Sequence, residues 1–253
     1  MRKLKFLALT ILYKSLTQAL FVQTSGASHF WLKSIRYTKP IFVVPNGFEV
    51  KELKLQDKDH SGYFKIAFVG RLISIKDPEL ALEAIKILVK DLNINAVLEI
   101  YGQGPMEESL KSNVDLLNIQ TNVKFHGFKQ NVQNEISKCD AFLMTSHIEG
   151  MPNALGEAMA VGLPCVVTDF PGGARDLLGE LEVVHLGQLV SSRNPEHIAR
   201  QLAKFASDLP RARQIGLQNR LRIESLFASD FVLSVLENAL QSAINLPNRR
   251  ESI

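Results

Sequence analysis

The sequence predicts an α/β fold: a Rossmann-like parallel sheet with helices on both faces. Two observations predict it. Between residues 64 and 206, short apolar runs of strand length alternate with segments whose apolar residues recur at helical spacing. Inside that region, residues 145–169 read as loop, helix, turn and strand, fed by the apolar run Ala141-Phe142-Leu143-Met144. Strand and helix in regular alternation imply parallel pairing with right-handed crossovers.

The elements follow in order. Residues 2–18 read as a helix. Their start, Met1-Arg2-Lys3-Leu4-Lys5 before the apolar run 6–12, imitates a signal peptide. That run is short, Tyr13-Lys14 interrupts it, and no small-residue cleavage site follows. The expectation is an amphipathic helix packed on the chain's own body, although apolar residues such as Phe6, Leu7, Ile11 and Leu12 would normally pack against a fuller first domain. The alternative is a contact with membrane phosphates or another domain. Residues 19–22 form a short strand, 23–26 a turn, 27–35 a helix and 41–44 a strand, before the turn Pro45-Asn46-Gly47. Residues 51–63 are polar without a period and read as a surface connection. A buried strand over 64–70 ends in glycine, with Arg71 at its C-terminal end. Lys76 and Asp77-Pro78 precede a helix over 79–90, whose Leu80, Ala84, Ile87 and Leu88 share one face. Strand 96–101, helix 106–117, strand 123–125, helix 132–138 and strand 141–145 lead into the central unit. Beyond Asp169, Gly172-Gly173 opens a short helix to Leu178. A strand is expected over 182–185, and helices over 195–206, 211–227 and 229–244, with a loose tail at 247–253.

Composition narrows the function classes. The chain has 253 residues, 46% hydrophobic and 22% charged, enough for one large or two small domains. A net charge of +3, with only short basic clusters near each end, gives no nucleic-acid signature. Cys139 and Cys165 lie in or beside apolar strand sequence, which suits buried reduced thiols in a cytoplasmic protein. No apolar run reaches the ~18 residues of a transmembrane helix.

The chemistry concentrates in the central unit. Pro152 suits the opening of a helix, since it has no N–H to lose there and its φ is already helical. Gly162 can take a left-handed stop and Pro164 prevents continuation. Glu149 falls in the loop at the C-terminal end of a strand, and Glu157 inside the short helix. In open α/β sheets that end of the strands is where ligands sit, and a helix N-terminus there suits phosphate. Gly150, Met151, Pro152, Asn153 and Ala154 form that helix entry, and Arg71 and Lys76 are cations after the first strand of the sheet. His147 has two readings of equal weight, a contact to sugar or phosphate or a loop histidine facing water. His126 reads as structural. Gly102 and Gly104 lack the third glycine and the acidic residue of a dinucleotide fingerprint.

The run E-G-M-P-N-A-L-G-E-A-M-A-V-G-L-P over residues 149–164 resembles the signature of the family 4 retaining glycosyltransferases, the glycosyl transferases group 1 of the GT-B fold. The match continues through residues 166–178 and covers about 41–245. The resemblance implies the C-terminal, donor-binding half of a GT-B fold. The V-x-P-N-G element, Val43 to Gly47, resembles the crossing between the two GT-B domains. The implied organisation is residues 1–40 as the remnant of an acceptor-side domain, 41–228 as the nucleotide-sugar domain, and 229–253 as a C-terminal helix and tail. By the same resemblance Gly70-Arg71 and Lys76 meet the donor diphosphate, and Glu157 accepts hydrogen bonds from the ribose hydroxyls. Phe128 holds the base through its backbone, and Glu149 lies against the donor sugar as the catalytic carboxylate. Cations and a helix N-terminus at the phosphates stand in for a metal, so neither metal nor cofactor is expected. A UDP-sugar is the expected donor. Two departures concern the sugar end. The acidic residue of a G-G-x-x-E element is represented by Arg175-Asp176, with Asp176 as its substitute, and the following turn is altered over 179–182.

Two function classes follow. One is a retaining glycosyltransferase acting on a glycan or lipid-linked acceptor in cell-surface polysaccharide or glycolipid synthesis, in the cytoplasm or peripherally at the membrane's cytoplasmic face. The other is a truncated or split donor-binding module without independent catalysis, whose missing half a partner subunit would supply. A GT-B nucleotide-sugar 2-epimerase is disfavoured by the E-G-x-P run. No nucleic-acid partner is expected.

Overall fold

The structure is a computed structural model, and it describes residues 10–50, 62–179 and 187–246. Among these residues, six parallel strands form one sheet in the order β5-β4-β3-β6-β7-β8. They are β3 (Phe64–Val69), β4 (Ala96–Tyr101), β5 (Val123–Phe125), β6 (Ala141–Met144), β7 (Cys165–Thr168) and β8 (Leu189–Val190). Two earlier strands, β1 (Leu20–Val22) and β2 (Ile41–Val43), pair in parallel as a separate small sheet. The fold class is the expected one.

The near-continuous apolar strands are explained by burial on both faces, since side chains alternate across a strand. In β3, Ile66 and Phe68 face one hydrophobic cluster while Ala67 faces the other. In β6, Ala141 and Leu143 join the first cluster, and Phe142 and Met144 the second. The first cluster is closed by α2 (Pro78–Lys86) and α7 (Pro195–Ser207) through Leu82, Ile85, Ile198 and Leu202. The second is closed by α5 (Asn153–Ala160), α6 (Ala174–Leu178) and α8 (Leu209–Leu226) through Leu155, Met159, Leu177 and Ile223. Each fully buried Leu or Ile contributes about 1.5–3 kcal/mol of transfer free energy.

Helix starts obey local chemistry. Asp77 caps α2 by accepting from the Leu80 N–H at 3.3 Å, and Pro78 follows it. Asn194 caps α7 and Asp208 caps α8 in the same way. Further helices are α1 (Ser25–His29), α3 (Glu107–Leu116), α4 (Val132–Ile136) and α9 (Ser229–Ile244). Several boundaries differ from the sequence reading. α1 begins at Ser25, because the Thr24 hydroxyl accepts from the Ala27 N–H at 3.1 Å, and it widens into a π-turn over Phe30–Ser34. The helix expected over 79–90 keeps α geometry only to Lys86 and then widens likewise over Ile87–Asp91. Pro152 is the N-cap of α5 and not its first helical residue, while Gly162 takes the expected left-handed conformation with φ +77°. Residues 10–16 are helical. The start of that helix with Phe6 and Leu7, most of the 51–63 connection, the strand at 182–185, the turn at 179–182 after Gly179, and the tail all lie outside the described residues.

The segment after the Pro45-Asn46-Gly47 turn is fastened to the sheet's second face. The Phe48 N–H donates to the Phe227 carbonyl at 2.8 Å, and the Ser229 N–H donates to the Phe48 carbonyl at 3.2 Å. The Phe48 ring sits on α5 at Gly156, where a Cβ would lie 2.1 Å from the ring's Cζ. Only glycine leaves the room for that ring.

Candidate functional site

Strand order reverses between β3 and β6. These two neighbours lead to opposite halves of the sheet, so their following loops part at the C-terminal edge and leave a crevice. The loop after β3 carries Gly70, Arg71 and Lys76, and the loop after β6 carries His147, Glu149 and Gly150.

The two loops are clasped together. The Thr145 hydroxyl donates towards the Lys76 and Asp77 carbonyls at 3.0 and 2.7 Å, and the His147 N–H donates to the Ile75 carbonyl at 2.8 Å. Across this seam the Lys76 ammonium forms an ion pair with the Glu149 carboxylate, which also accepts from the Ser146 hydroxyl at 2.7 Å. His147 Nε2 stands 3.3 Å from the Asp77 carboxylate, though its side chain is about half exposed. Asp77 itself has φ +46°, a conformation that few non-glycine residues adopt.

Beside the clasp lies a pocket of about 520 Å³ whose lining includes Gly70, Arg71, Tyr101, Gly102, Phe128 and Glu157. Phe128 is 72% exposed at its rim, and Arg71 is exposed. Glu157 projects from α5, and desolvation by burial raises its carboxyl pKa above the ordinary range. A charge held there without a partner is unfavourable, which suits a carboxylate that waits for hydroxyl donors. Glu157 also lines a shallower hollow of about 450 Å³ on the other side, with Pro45, Asn46 and Asn153.

The loops approach so closely because two glycines lack a Cβ. Gly102 has φ +149°, and a Cβ there would lie 1.8 Å from the Gly70 carbonyl oxygen. Gly172, with φ +138°, presses in the same way on the Glu149 carbonyl oxygen. The Gly173 N–H donates to the Gly150 carbonyl at 2.8 Å. Met151 is buried in the second cluster and Ala154 packs against it. Asn153 accepts from Asn46 at 2.6 Å, and Asn46 from Gln23 at 2.7 Å, which ties the helix entry to the small β1–β2 unit. Asp176 accepts from the Ser25 N–H at 3.2 Å and from its hydroxyl.

The twelve expected residues therefore gather at one edge, as two neighbouring groups. Gly70, Arg71, Phe128 and Glu157 share the pocket. Lys76, His147, Glu149 and the helix entry 150–154 form the clasp and its flank. His126 pairs with the buried Glu99 and stacks on Tyr101 with ring centroids 4.7 Å apart, in keeping with the structural reading. The sequence reading missed Ser146, Gln23 and above all Arg193, which reaches into the clasp from the loop after β8. Asp77 was read only as preceding a helix, neither as its cap nor as a partner of His147.

A family model described as Glycosyl transferases group 1 matches residues 50–222. Among curated relatives, the N-acetylgalactosamine-N,N'-diacetylbacillosaminyl-diphospho-undecaprenol 4-alpha-N-acetylgalactosaminyltransferase of Campylobacter jejuni is 31% identical over 159 residues. That match covers 63% of this chain and 40% of the relative. The UDP-Gal:alpha-D-GlcNAc-diphosphoundecaprenol alpha-1,3-galactosyltransferase of Escherichia coli is 32% identical over 146 residues, 52% of this chain and 37% of the relative. The chain thus spans less than half the length of either. Among solved structures, Anabaena Alr3699/HepE in complex with UDP superimposes with a TM-score of 0.83 at 18% identity, covering 96% of this chain and 68% of that one. That likeness is one of fold.

Proposed function

The chain belongs to the glycosyl transferases group 1 family, and on that premise we propose that it holds the nucleotide-sugar donor of a retaining, family 4 glycosyltransferase. The observation that carries this reading is the Lys76–Glu149 pair, clasped at the switch point beside a pocket that holds Arg71 and Glu157. The nucleoside enters the pocket against Gly102 and Phe128, and its ribose hydroxyls donate to Glu157. The diphosphate lies between Arg71, Lys76 and the first-turn N–H groups of α5 at Asn153 and Ala154, donors that a helix leaves unpaired. The sugar then meets Glu149, His147 and the backbone of Gly150, Met151 and Pro152.

As the glycosidic bond breaks, negative charge grows on the departing nucleoside diphosphate. Positive groups fixed there beforehand favour the transition state over the ground state. Without donor, Lys76 is neutralised by Glu149. A bound diphosphate competes for the ammonium, and the carboxylate is left to face the sugar's developing positive charge. The donor is a UDP-sugar, and the acceptor a lipid-diphosphate-linked glycan in cell-surface polysaccharide or glycolipid synthesis. The names of the two relatives, both acting on diphospho-undecaprenol carriers, support that acceptor class. Among the described residues no helix is long and apolar enough to cross a membrane, and a peripheral place at the cytoplasmic face suits such an acceptor. A second reading is a donor-binding module whose acceptor wall comes from elsewhere. It is favoured by the exposed apolar residues of the small unit, Leu16, Phe21 and Val43.

The test is calorimetric titration with UDP and GDP. Arg71→Ala is expected to weaken UDP about tenfold or more, since a hydrogen bond to a charged group contributes ~1.5–3 kcal/mol. A chelator is expected to leave wild-type binding unchanged, because the phosphates meet protein cations. Equal affinity in wild type and Arg71→Ala would remove Arg71 from the site, and binding lost to chelator and restored by magnesium would overturn the metal-independent reading.

A further inference from the structure

Arg193 makes contacts that no local element requires. It stands in the loop between β8 and α7, yet its guanidinium spans three other segments. Nη1 donates to the Ser146 carbonyl at 2.9 Å and approaches the Thr168 hydroxyl at 3.5 Å. Nη2 donates to the Thr145 carbonyl at 2.8 Å and pairs with the Asp77 carboxylate. The Thr168 hydroxyl in turn donates to the Ser146 carbonyl at 3.1 Å. The guanidinium is a rigid planar fork with five donors, so a single side chain can fix several acceptors in one geometry.

Those acceptors are the roots of the clasp. Thr145 and Ser146 lead directly into His147 and Glu149, and the Ser146 hydroxyl donates to Glu149. Asp77 follows Lys76, caps α2, and also faces His147. We infer that Arg193 is a positioning residue that holds the Lys76–Glu149 pair in register by bracing both loops from the loop after β8. Among the described residues its hydrogen bonds and ion pair go to neither member of the pair and to none of the residues of the nucleoside pocket. Its removal therefore loosens the diphosphate and sugar end of the crevice and leaves the nucleoside end in place. The inference rests on the donor-binding reading for its ligand arm only.

The experiment compares Arg193→Gln, Arg193→Lys and Asp77→Asn with wild type in the full chain. Ligand-free amide hydrogen exchange is read at His147, Lys76 and Asp77, whose N–H groups donate to Ile75, Ile73 and Ser74, and at Gly102, which donates to Gly127 beside the pocket. Loss of the guanidinium is expected to speed exchange at the first three about tenfold or more and to leave Gly102 unchanged. Asp77→Asn is expected to speed Lys76 and Asp77 more than His147. Arg193→Lys is expected to restore part of the protection, since one ammonium can pair with Asp77 but cannot span both carbonyls. In calorimetry, uridine 5'-monophosphate is expected to bind Arg193→Gln within about twofold of wild type, as distant sites act independently, and UDP about tenfold more weakly. Unchanged exchange at His147 and Lys76, or equal weakening of the mono- and diphosphate, overturns the inference. If wild type binds neither nucleotide, the donor reading fails and the exchange arm still decides whether Arg193 braces the loops.

Discussion

Gly102→Ala is expected to destabilise the chain by about 2–6 kcal/mol and to remove nucleotide binding with it. The glycine follows β4 with φ +149°, and the added Cβ would stand 1.8 Å from the Gly70 carbonyl oxygen and 2.8 Å from its carbon. Both are backbone atoms, so no side chain can swing aside. Backbone strain in such a region costs about 1–3 kcal/mol, and forcing a methyl into a closed contact costs about as much again. The two loops cannot part cheaply, because the Gly70 N–H donates to Tyr101 at 3.0 Å and the Gly102 N–H to Gly127 at 2.9 Å. Thermal unfolding checks this. At about 2–4 °C per kcal/mol, the midpoint should fall by roughly 5–20 °C. Gly26→Ala is the control: nothing lies within 4 Å of its Cβ position, it is in α1, and the change should be neutral or stabilising by under about 1 kcal/mol. A Gly102→Ala midpoint near that of Gly26→Ala would mean that the crevice walls yield.

The same contact explains what a sequence can disclose about this site. Strands β3, β4, β6 and β7 were legible because they are buried largely on both faces and so mostly apolar, and α2 and α7 carry their caps beside a proline, whereas β8, only two residues long, was not read as a strand. The switch point was legible only as a consequence of alternation, since strand order is a long-range property. Residues 149–164 gathered the site in sequence because one loop and one helix supply most of it. Arg193 was not legible. Its partners lie 25 to 116 positions away, and the loop that presents it has no periodicity to mark it. The widening of two helices into π-turns was hidden for a different reason, as their apolar spacing continues unbroken into the wider turn.

The Lys76–Glu149 pair shows the limit of reading roles from residue type. Lysine after the first strand and glutamate in the loop after β6 each suggest a ligand contact on charge alone. Joined, they are each other's partner, a pairing that the diphosphate of the proposed donor would have to displace. The separate position of Glu157, desolvated and lining the pocket, leads to a distinction that charge alone could not give: the two glutamates should respond in opposite senses to the same substitution.

Glu157→Gln is expected to stabilise the ligand-free chain at neutral pH while weakening UDP about tenfold to a hundredfold. Burial raises the Glu157 carboxyl pKa above its unfolded value, so the folded state binds this proton more tightly than the unfolded state does. The stability that follows is fully present below the ordinary carboxyl pKa and is lost as pH rises through the raised one. At neutral pH the ionised group thus opposes folding, and the neutral amide removes that opposition. The midpoint advantage of Glu157→Gln should be largest at neutral pH and vanish as pH falls into the ordinary carboxyl range. Nucleotide binding should run the other way, because the ribose hydroxyls lose a charged acceptor. Glu149→Gln should differ on both counts, lowering stability and leaving UDP binding intact. It leaves the Lys76 ammonium without its counter-charge, and with side chains only 21% and 13% exposed that loss is about 1–2 kcal/mol, reduced by partial solvation. UDP should bind it as well as wild type, since the freed ammonium is available to the phosphates, whereas transfer of the sugar by an assembled enzyme should fall. Melting curves at several pH values, with and without UDP, separate the two variants. A Glu157→Gln chain that melts below wild type at neutral pH, or a Glu149→Gln chain that loses UDP as strongly as Glu157→Gln does, would reverse the roles assigned to the pair.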